Sequence, residues 1–377
     1  MEAEQKPLSV LIASRSFEFR GGVANYVHAL VENVDKALVS FNHVAVSKAT
    51  VSSSAWRRPF EYLDSIVRFG KAILDVQPDV VHLNPSLNTR SLPLHLLLLL
   101  TAKALGQSVY MFFHGWDDRV ALAMMNGTWR GRLLRGILRR ADYCSVLSEQ
   151  FRNQLIQAGW SPSQIQVLPL MIEVAAYQEP PGLDASALEA SGAFQVLFLS
   201  RLAPDKGVWE LMEAAEWLKG AHPDAPLKII CAGDGSEYEA LKRHVQENGL
   251  VDMVQLPGYL RGEDKYAAYR GADLFAFPSF HAEGFPIAVI EALAAGLPVV
   301  YTPVGALAEI LGPKNGTRIE LADVSGETVG DEIWELYQDP ARRQSMGALN
   351  QQLAQRFDVK VVCADTVDVY RRVASRK

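Results

Sequence analysis

The stretch HAEGFPIAVIEALAAGLPVV, residues 281–300, decides how this chain is read. It places two carboxylates, Glu283 and Glu291, eight residues apart across a Gly-Phe-Pro turn. Pro286 suits the first turn of a helix, where its fixed φ fits and its missing N–H is not needed. From Ile287 onward, Ile287, Ile290, Leu293 and Ala294 recur at helical spacing, and Gly296 followed by Pro298 closes the helix. Glu283 is therefore expected in the loop before the helix and Glu291 about one turn inside it. Between them lie backbone N–H groups at the positive end of the helix dipole, a site suited to phosphate. Carboxylates touching a phosphate would repel it, whereas carboxylates flanking it accept hydrogen bonds from hydroxyls on either side. A nucleotide sugar presents that pattern. A plain strand–helix unit with solvated glutamates has the same spacing, because acidic residues favour helix starts for dipole reasons.

The remainder of the chain is compatible with such a site. Its 377 residues suffice for two domains, and 49% apolar residues with a mean hydropathy near zero indicate a globular protein with large cores. Cys144, Cys231 and Cys363 are scattered, with no CxxC pair, which argues against a disulfide framework or zinc site and fits a reducing cytosol. The N-terminal MEAEQKP does not resemble a signal peptide. Residues 92–105 include five successive leucines but also Pro93, His95 and Lys103, and fall short of the ~20 residues that span a bilayer, so a buried helix is expected. Residues 1–170 carry 18 Lys+Arg against 13 Asp+Glu, and the remainder 19 against 30. That asymmetry suggests halves with different partners, although chance also produces such splits.

Buried-strand runs alternate with helical stretches. Strands are expected at 10–14, 80–84, 109–113, 143–147 and 166–170, and again at 195–200, 228–232, 254–256, 274–278, 299–302 and 317–321. Near-continuous apolar runs mark strands covered on both faces, as in parallel sheets. Residues 173–195, with Pro180-Pro181-Gly182 at their centre, read as a linker. The fold class is α/β, two doubly wound domains, and the site is expected at the carboxyl ends of the strands.

The other candidates follow strands. Arg201 and Lys206 lie five residues apart on a loop closed by Gly207, where a guanidinium fork and a mobile ammonium can converge on a dianionic leaving group. Two solvated bases on a surface loop would look alike. Gly21-Gly22 joins the first strand to a helix and lets backbone approach a ligand, as would a tight structural turn. His114 ends the strand VYMFF, and Asn84 and Ser86 follow another strand as plausible acceptor-side groups.

These residues together resemble the family 4 retaining glycosyltransferases, with Glu283 and Glu291 at the ends of their E-x7-E motif. The similarity extends through TPVGALAEIL at 302–311 and Asn315-Gly316, and back through Pro278-Ser279, SRLAPDKG at 200–207 and Gly233-Asp234-Gly235. It covers most of the second half in the family's order. The implied architecture is GT-B: two Rossmann-like domains facing a central cleft, residues 1–175 and 190–358, with a helix at 359–373 crossing back so that 359–377 joins the first. The resemblance assigns Arg201 and Lys206 to the donor diphosphate, Glu291 to the ribose hydroxyls and Glu283 to hydroxyls of the transferred sugar. Gly284, Phe285, Pro286 and Ile287 would line sugar and phosphate, with Pro286 unable to donate. Gly258 and Tyr259 correspond to the loop cradling the base, Gly22 to the glycine loop, and His114 to a histidine near the reacting carbon.

The implied activity is transfer of a sugar from a UDP-, GDP- or ADP-sugar to a glycan or lipid-linked hydroxyl, with retention by front-face substitution in which the departing diphosphate takes the acceptor's proton. No metal or other cofactor is implied, since D-x-D is absent and Arg201 and Lys206 replace the cation; nor is nucleic acid. The chain departs from the family at Ser200, usually Gly, and at residues 169–173, Pro-Leu-Met-Ile-Glu, where a Pro-Asn-Gly hinge is frequent. A nucleotide-sugar epimerase of the same fold and a non-catalytic sugar-nucleotide-binding subunit are the alternatives. A phosphorylase is disfavoured by length and by the lack of a pyridoxal-phosphate lysine motif.

Residues 129–140, WRGRLLRGILRR, contain five arginines and no acid. Leu133, Leu134, Ile137 and Leu138 would form one helical stripe, with Arg132, Arg135 and Arg139 on another face. Such a helix can lie on anionic lipid, placing a cytoplasmic enzyme at the inner face of the membrane. The same stripe could instead pack on the first domain's sheet.

Overall fold

The structure, a computed structural model, describes residues 6–16, 21–46, 58–178, 192–281 and 284–376. Contacts divide the chain into two units, Met1–Met171 with Val359–Lys377, and Ile172–Asp358.

The first unit holds β1 (Leu8–Ser14), β2 (Val39–Ala45), β3 (Val80–Leu83), β4 (Ser86–Leu87), β5 (Val109–Phe112), β6 (Gly115–Trp116), β7 (Tyr143–Val146) and β8 (Ile165–Val167). Six form a sheet ordered β2-β1-β3-β5-β7-β8 with every pairing parallel, and β4 pairs with β6 separately. Strands β3, β5 and β7 are buried throughout, as their unbroken apolar runs require of strands covered on both faces. Strand β2 was absent from the expected set. It is an edge strand, mostly half-buried, and Asn42 and His43 break its apolar run. Strands β4 and β6, two residues each, carry no periodicity to detect.

The helix Val359–Ala374 belongs to this unit. Tyr370 Oη bonds His82 Nδ1 on β3 at 2.8 Å, and Thr366 approaches Tyr26 Oη at 3.4 Å on the helix Gly22–Asn33. The expected helix at 92–105 is Leu92–Ala104, with Leu98, Leu99 and Ala102 fully buried. Among the described residues no helix is long and apolar enough to cross a membrane.

The second unit contains β9 (Phe194–Leu199), β10 (Leu227–Ala232), β11 (Val254–Gly258), β12 (Leu274–Phe277), β13 (Val299–Tyr301) and β14 (Gly316–Arg318). Their order, β11-β10-β9-β12-β13-β14, is the doubly wound order 3-2-1-4-5-6. Strand order reverses between β9 and β12, the point at whose carboxyl ends doubly wound sheets bind their ligands. One core cluster underlies this sheet, from Val196 and Phe198 on β9 to Val329 and Ile333 on the helix Gly326–Gln338. The segment expected as linker folds in part onto this unit: residues 175–178 form a short helix, with Arg270 donating to Ala176 O at 3.1 Å and Gln178 to Ala294 O at 3.3 Å.

Candidate functional site

In the second unit, Arg201 and Lys206 follow β9, and residues 278–287 follow β12, so both motifs lie at the strand-order reversal. They are bound into one structure through Asp205. Its carbonyl accepts from Phe280 N at 3.0 Å and Ser279 Oγ at 3.3 Å, and its carboxylate meets His281 Nδ1 at 2.7 Å and Arg201 at 4.0 Å. The Arg201 side chain is 60% exposed, whereas Lys206 is only 5% exposed at the end of a turn of 3-10 helix. Gly207 permits this junction. Its φ is +75°, and a Cβ there would lie 1.9 Å from Pro278 O.

The neighbouring loops join the same network. Leu202 N donates to Asp234 O at 2.7 Å and Gly233 N to Gly258 O at 2.8 Å, which links the loops after β9 and β10 to the end of β11. A Cβ on Gly233 would meet Ser200 O at 1.9 Å, so the glycine of Gly233-Asp234-Gly235 is needed for close packing against the loop carrying Arg201. Thr302, after β13, donates to Ser279 O. Gly258 has open space around its α-carbon, and Tyr259 is largely exposed, as suits a loop available to a flat ring.

The helix expected after the Gly-Phe-Pro turn is Ile287–Ala294. Pro286 is its N-cap residue with ψ 93°, one position outside the helix rather than in its first turn. Phe285 and Pro286 are buried and Gly284, Ile287 and Ala288 half-buried, leaving the start of the helix partly accessible. Glu283 lies outside the described residues. Glu291 is 7% exposed. Its Oε1 accepts from Tyr177 Oη and from Lys265 Nζ, each at 2.6 Å. Burial, followed by the Glu291 charge, raises the Tyr177 phenol far above its usual range, so Tyr177 is a fixed donor.

In the first unit the β4–β6 pair aligns the loops after β3 and β5. Ser86 pairs with Gly115, and His114 N donates to Pro85 O at 3.0 Å. His114 Nε2 lies 2.8 Å from Asn84 Oδ1, and its ring packs on Phe112 and Tyr26. Burial, with a smaller contribution from His95, pushes its pKa down to about 3, so the ring is neutral at pH 7. With Nε2 donating to Asn84, buried Nδ1 is a bare acceptor that finds no partner among the described residues. Asn84 thus supports His114, a role its sequence position did not disclose. Gly22 is exposed at the start of its helix, and a Cβ added there would meet no described atom within 4 Å.

The basic segment forms the helix Trp129–Leu138, leaving Arg139 and Arg140 beyond it. The expected apolar stripe divides: Leu138 is buried and Leu134 and Ile137 half-buried, whereas Leu133 and Trp129 face solvent beside Arg130 and Arg132. Asp205, His281, Lys265 and Tyr177 were missed by sequence reasoning. The first two lay inside quoted motifs, but a carbonyl joining two loops leaves no side-chain signature. Lys265 and Tyr177 are 26 and 114 residues from Glu291, with nothing local to point there. Among the described residues, no group of three or more His, Cys, Asp or Glu is arranged to hold a metal ion.

Comparison with known proteins gives a consistent result. The family model "Glycosyl transferases group 1" matches residues 183–352, and "Glycosyl transferase 4-like domain" matches 21–171. A GDP-mannose-dependent alpha-(1-6)-phosphatidylinositol monomannoside mannosyltransferase of Mycolicibacterium smegmatis is 26% identical, over 87% of this chain and 88% of its own. A phosphatidyl-myo-inositol mannosyltransferase of Mycobacterium leprae is also 26% identical, over 97% and 96%. Among solved structures, a glycosyltransferase from Rickettsia africae superposes with TM-score 0.79 at 15% identity, covering 98% of this chain and all of that one. An Anabaena protein solved with UDP reaches 0.74 at 16%, covering 97% and 100%. At such identities the structures speak for the fold, which is GT-B.

Proposed function

The chain belongs to the group 1 glycosyltransferases, and from that premise we propose a retaining, metal-independent enzyme that moves a hexose from a nucleoside-diphosphate sugar to a hydroxyl of a lipid-linked or glycan acceptor. The observation that carries this reading is the carboxyl edge of the second unit, where hydrogen bonds join the ends of five strands and Asp205 ties the loop carrying Arg201 to residues 279–281, just before the helix Ile287–Ala294 in the chain. The guanidinium, Lys206 and the helix dipole would bind the diphosphate and neutralise the charge that develops as the glycosidic bond breaks, a contribution that is often the largest in catalysis. Two side-chain cations that could stand in for a metal ion support metal independence. Glu291 would hold the ribose hydroxyls, Glu283 the hydroxyls of the sugar, and Gly258 and Tyr259 the base.

Within the first unit, His114 would offer a neutral imidazole with Nδ1 as acceptor. The GDP-mannose and phosphatidylinositol specificities of the mycobacterial relatives favour a GDP-sugar donor and a lipid acceptor, while the UDP complex of the Anabaena protein keeps UDP-sugars in the comparison. Solvent-facing Trp129 and Leu133 beside Arg130 and Arg132 support peripheral association with anionic lipid. A thermal-shift screen of UDP-, GDP- and ADP-sugars tests the donor, because a ligand that binds only the folded state raises its stability. One family of donors should stabilise the protein and release nucleoside diphosphate only when acceptor is added, with EDTA leaving turnover intact. Interconversion of sugars without acceptor would establish an epimerase instead, and loss of turnover restored by magnesium or manganese would refute metal independence.

A further inference from the structure

Glu291 is a buried carboxylate with an unusual amount of support. Removing a carboxylate from water costs several kcal/mol unless it is paired and hydrogen-bonded. Here the compensation comes from two elements distant in sequence. Lys265, on the helix Glu263–Arg270, supplies the charge, its side chain 22% exposed. Tyr177 supplies a phenolic donor to the same oxygen. Neither partner is loosely held. The Lys265 ammonium lies over the rings of Tyr177 and Tyr266 at 5.4 and 5.2 Å, and those rings meet edge to face at 5.0 Å. Tyr269, fully buried, closes the group and donates to Ala288 O at 3.0 Å on Glu291's own helix. The backbone at Ala176 is fixed by Arg270.

A pair whose sole purpose was to join helices would be replaceable by apolar side chains, commonly without loss of stability. This one instead holds the Glu291 side chain on the helix that begins the candidate phosphate site. We propose that Lys265 and Tyr177 are positioning residues that hold the Glu291 carboxylate oriented for the ribose hydroxyls of the donor, so that they determine the site's preference for ribonucleotides. The inference rests on the assignment of Glu291 to ribose made above. Two donors drawn to Oε1, one of them a cation, fix the plane of the carboxylate through short charge-assisted hydrogen bonds.

The test compares binding of a nucleoside diphosphate with its 2′-deoxy and 3′-deoxy forms, using whichever base stabilises the wild type most. Wild type should prefer the ribonucleotide over at least one deoxy form by about 10–100-fold, the range of one charge-assisted hydrogen bond. Lys265→Met and Tyr177→Phe should each reduce that ratio to below about threefold or tenfold respectively, with affinity for the deoxy form unchanged, and Lys265→Arg should restore it. A merely structural pair would instead weaken ribo and deoxy forms alike and leave the ratio intact, which would overturn the proposal. Tyr177→Phe keeps the ring and its packing, so it decides the matter if Lys265→Met does not fold. Glu291→Gln separates the two levels. If that variant keeps full discrimination, the ribose assignment itself fails; if it loses discrimination while the Lys265 and Tyr177 variants keep it, only the positioning role fails.

Discussion

Two glycines with nearly the same positive φ allow the junction beneath Arg201 and Lys206 to be tested against its own control. Gly207 has φ +75° and Gly258 φ +78°. An alanine at either must adopt a positive φ, at a cost of roughly 1–2 kcal/mol. The surroundings differ. A methyl at Gly258 meets no described atom within 4 Å, whereas at Gly207 it would lie 1.9 Å from Pro278 O, a distance that Cβ atoms do not tolerate below 3.0 Å. The two loops must therefore separate by about 1 Å, and a misplacement of that size can cost about 10²-fold in rate. Overpacking adds roughly 1–3 kcal/mol to the conformational term. Gly258→Ala should thus lose about 1–2 kcal/mol, and Gly207→Ala about 2–5 kcal/mol together with about 10²-fold in kcat. Urea unfolding followed by fluorescence reports the second unit through Trp209, Trp217 and Trp334, and release of nucleoside diphosphate in the presence of acceptor reports turnover. Equal destabilisation of the two variants, with kcat of Gly207→Ala near wild type, would refute the claim that contact between these loops positions the cations.

Arg201→Ala and Lys206→Ala should each lower kcat by roughly 10²–10³ if the cations act on charge developing in the transition state; near-normal turnover by both removes the site. The His114 ring, held at a pKa of about 3 by burial and titrating near 6.5 when unfolded, should make the first unit less stable as pH falls below 6.5, because only the unfolded chain binds that proton. The loss from this group should reach about 2 kcal/mol at pH 5, and His114→Phe should flatten the dependence of urea midpoints on pH between 7.5 and 5; an unchanged slope would show that the ring titrates normally. Liposome flotation at low salt should recover the protein with anionic but not neutral vesicles, and Arg132/Arg135/Arg139→Glu, checked for folding by circular dichroism, should abolish it; no flotation of the wild type ends the membrane proposal.

What the sequence disclosed follows from the range over which each feature is encoded. Parallel strands buried on both faces announce themselves as apolar runs, so β3, β5, β9 and β12 were legible to within a residue or so. Strand β2 was not, because an edge position leaves it half-buried and tolerates Asn42 and His43. The switch-point loops were legible for a similar reason: Gly207 and Gly233 are demanded by backbone contacts that no other side chain allows, so they stand out within the motifs. Pro286 marked the start of its helix but not the phase, since a fixed φ serves an N-cap as well as a first turn.

The interior of the site was opaque for the opposite reason. A buried carboxylate has to be compensated, but which residue does so is decided by where helices meet in three dimensions, and several choices are equivalent locally. Lys265 follows two acids at the start of an otherwise unremarkable helix, and Tyr177 sits at the edge of a segment whose composition signals a linker. Their convergence on Glu291 requires the fold of the whole second unit, including residues 172–178 before its first strand. The carboxylate could therefore be named from sequence, but not the two donors that hold it in place. The same distinction applies in the first unit, where the position of His114 was legible from its strand and its tautomer was not. Asn84, thirty residues earlier, sets that tautomer by accepting from Nε2, and so decides which ring nitrogen remains available as an acceptor.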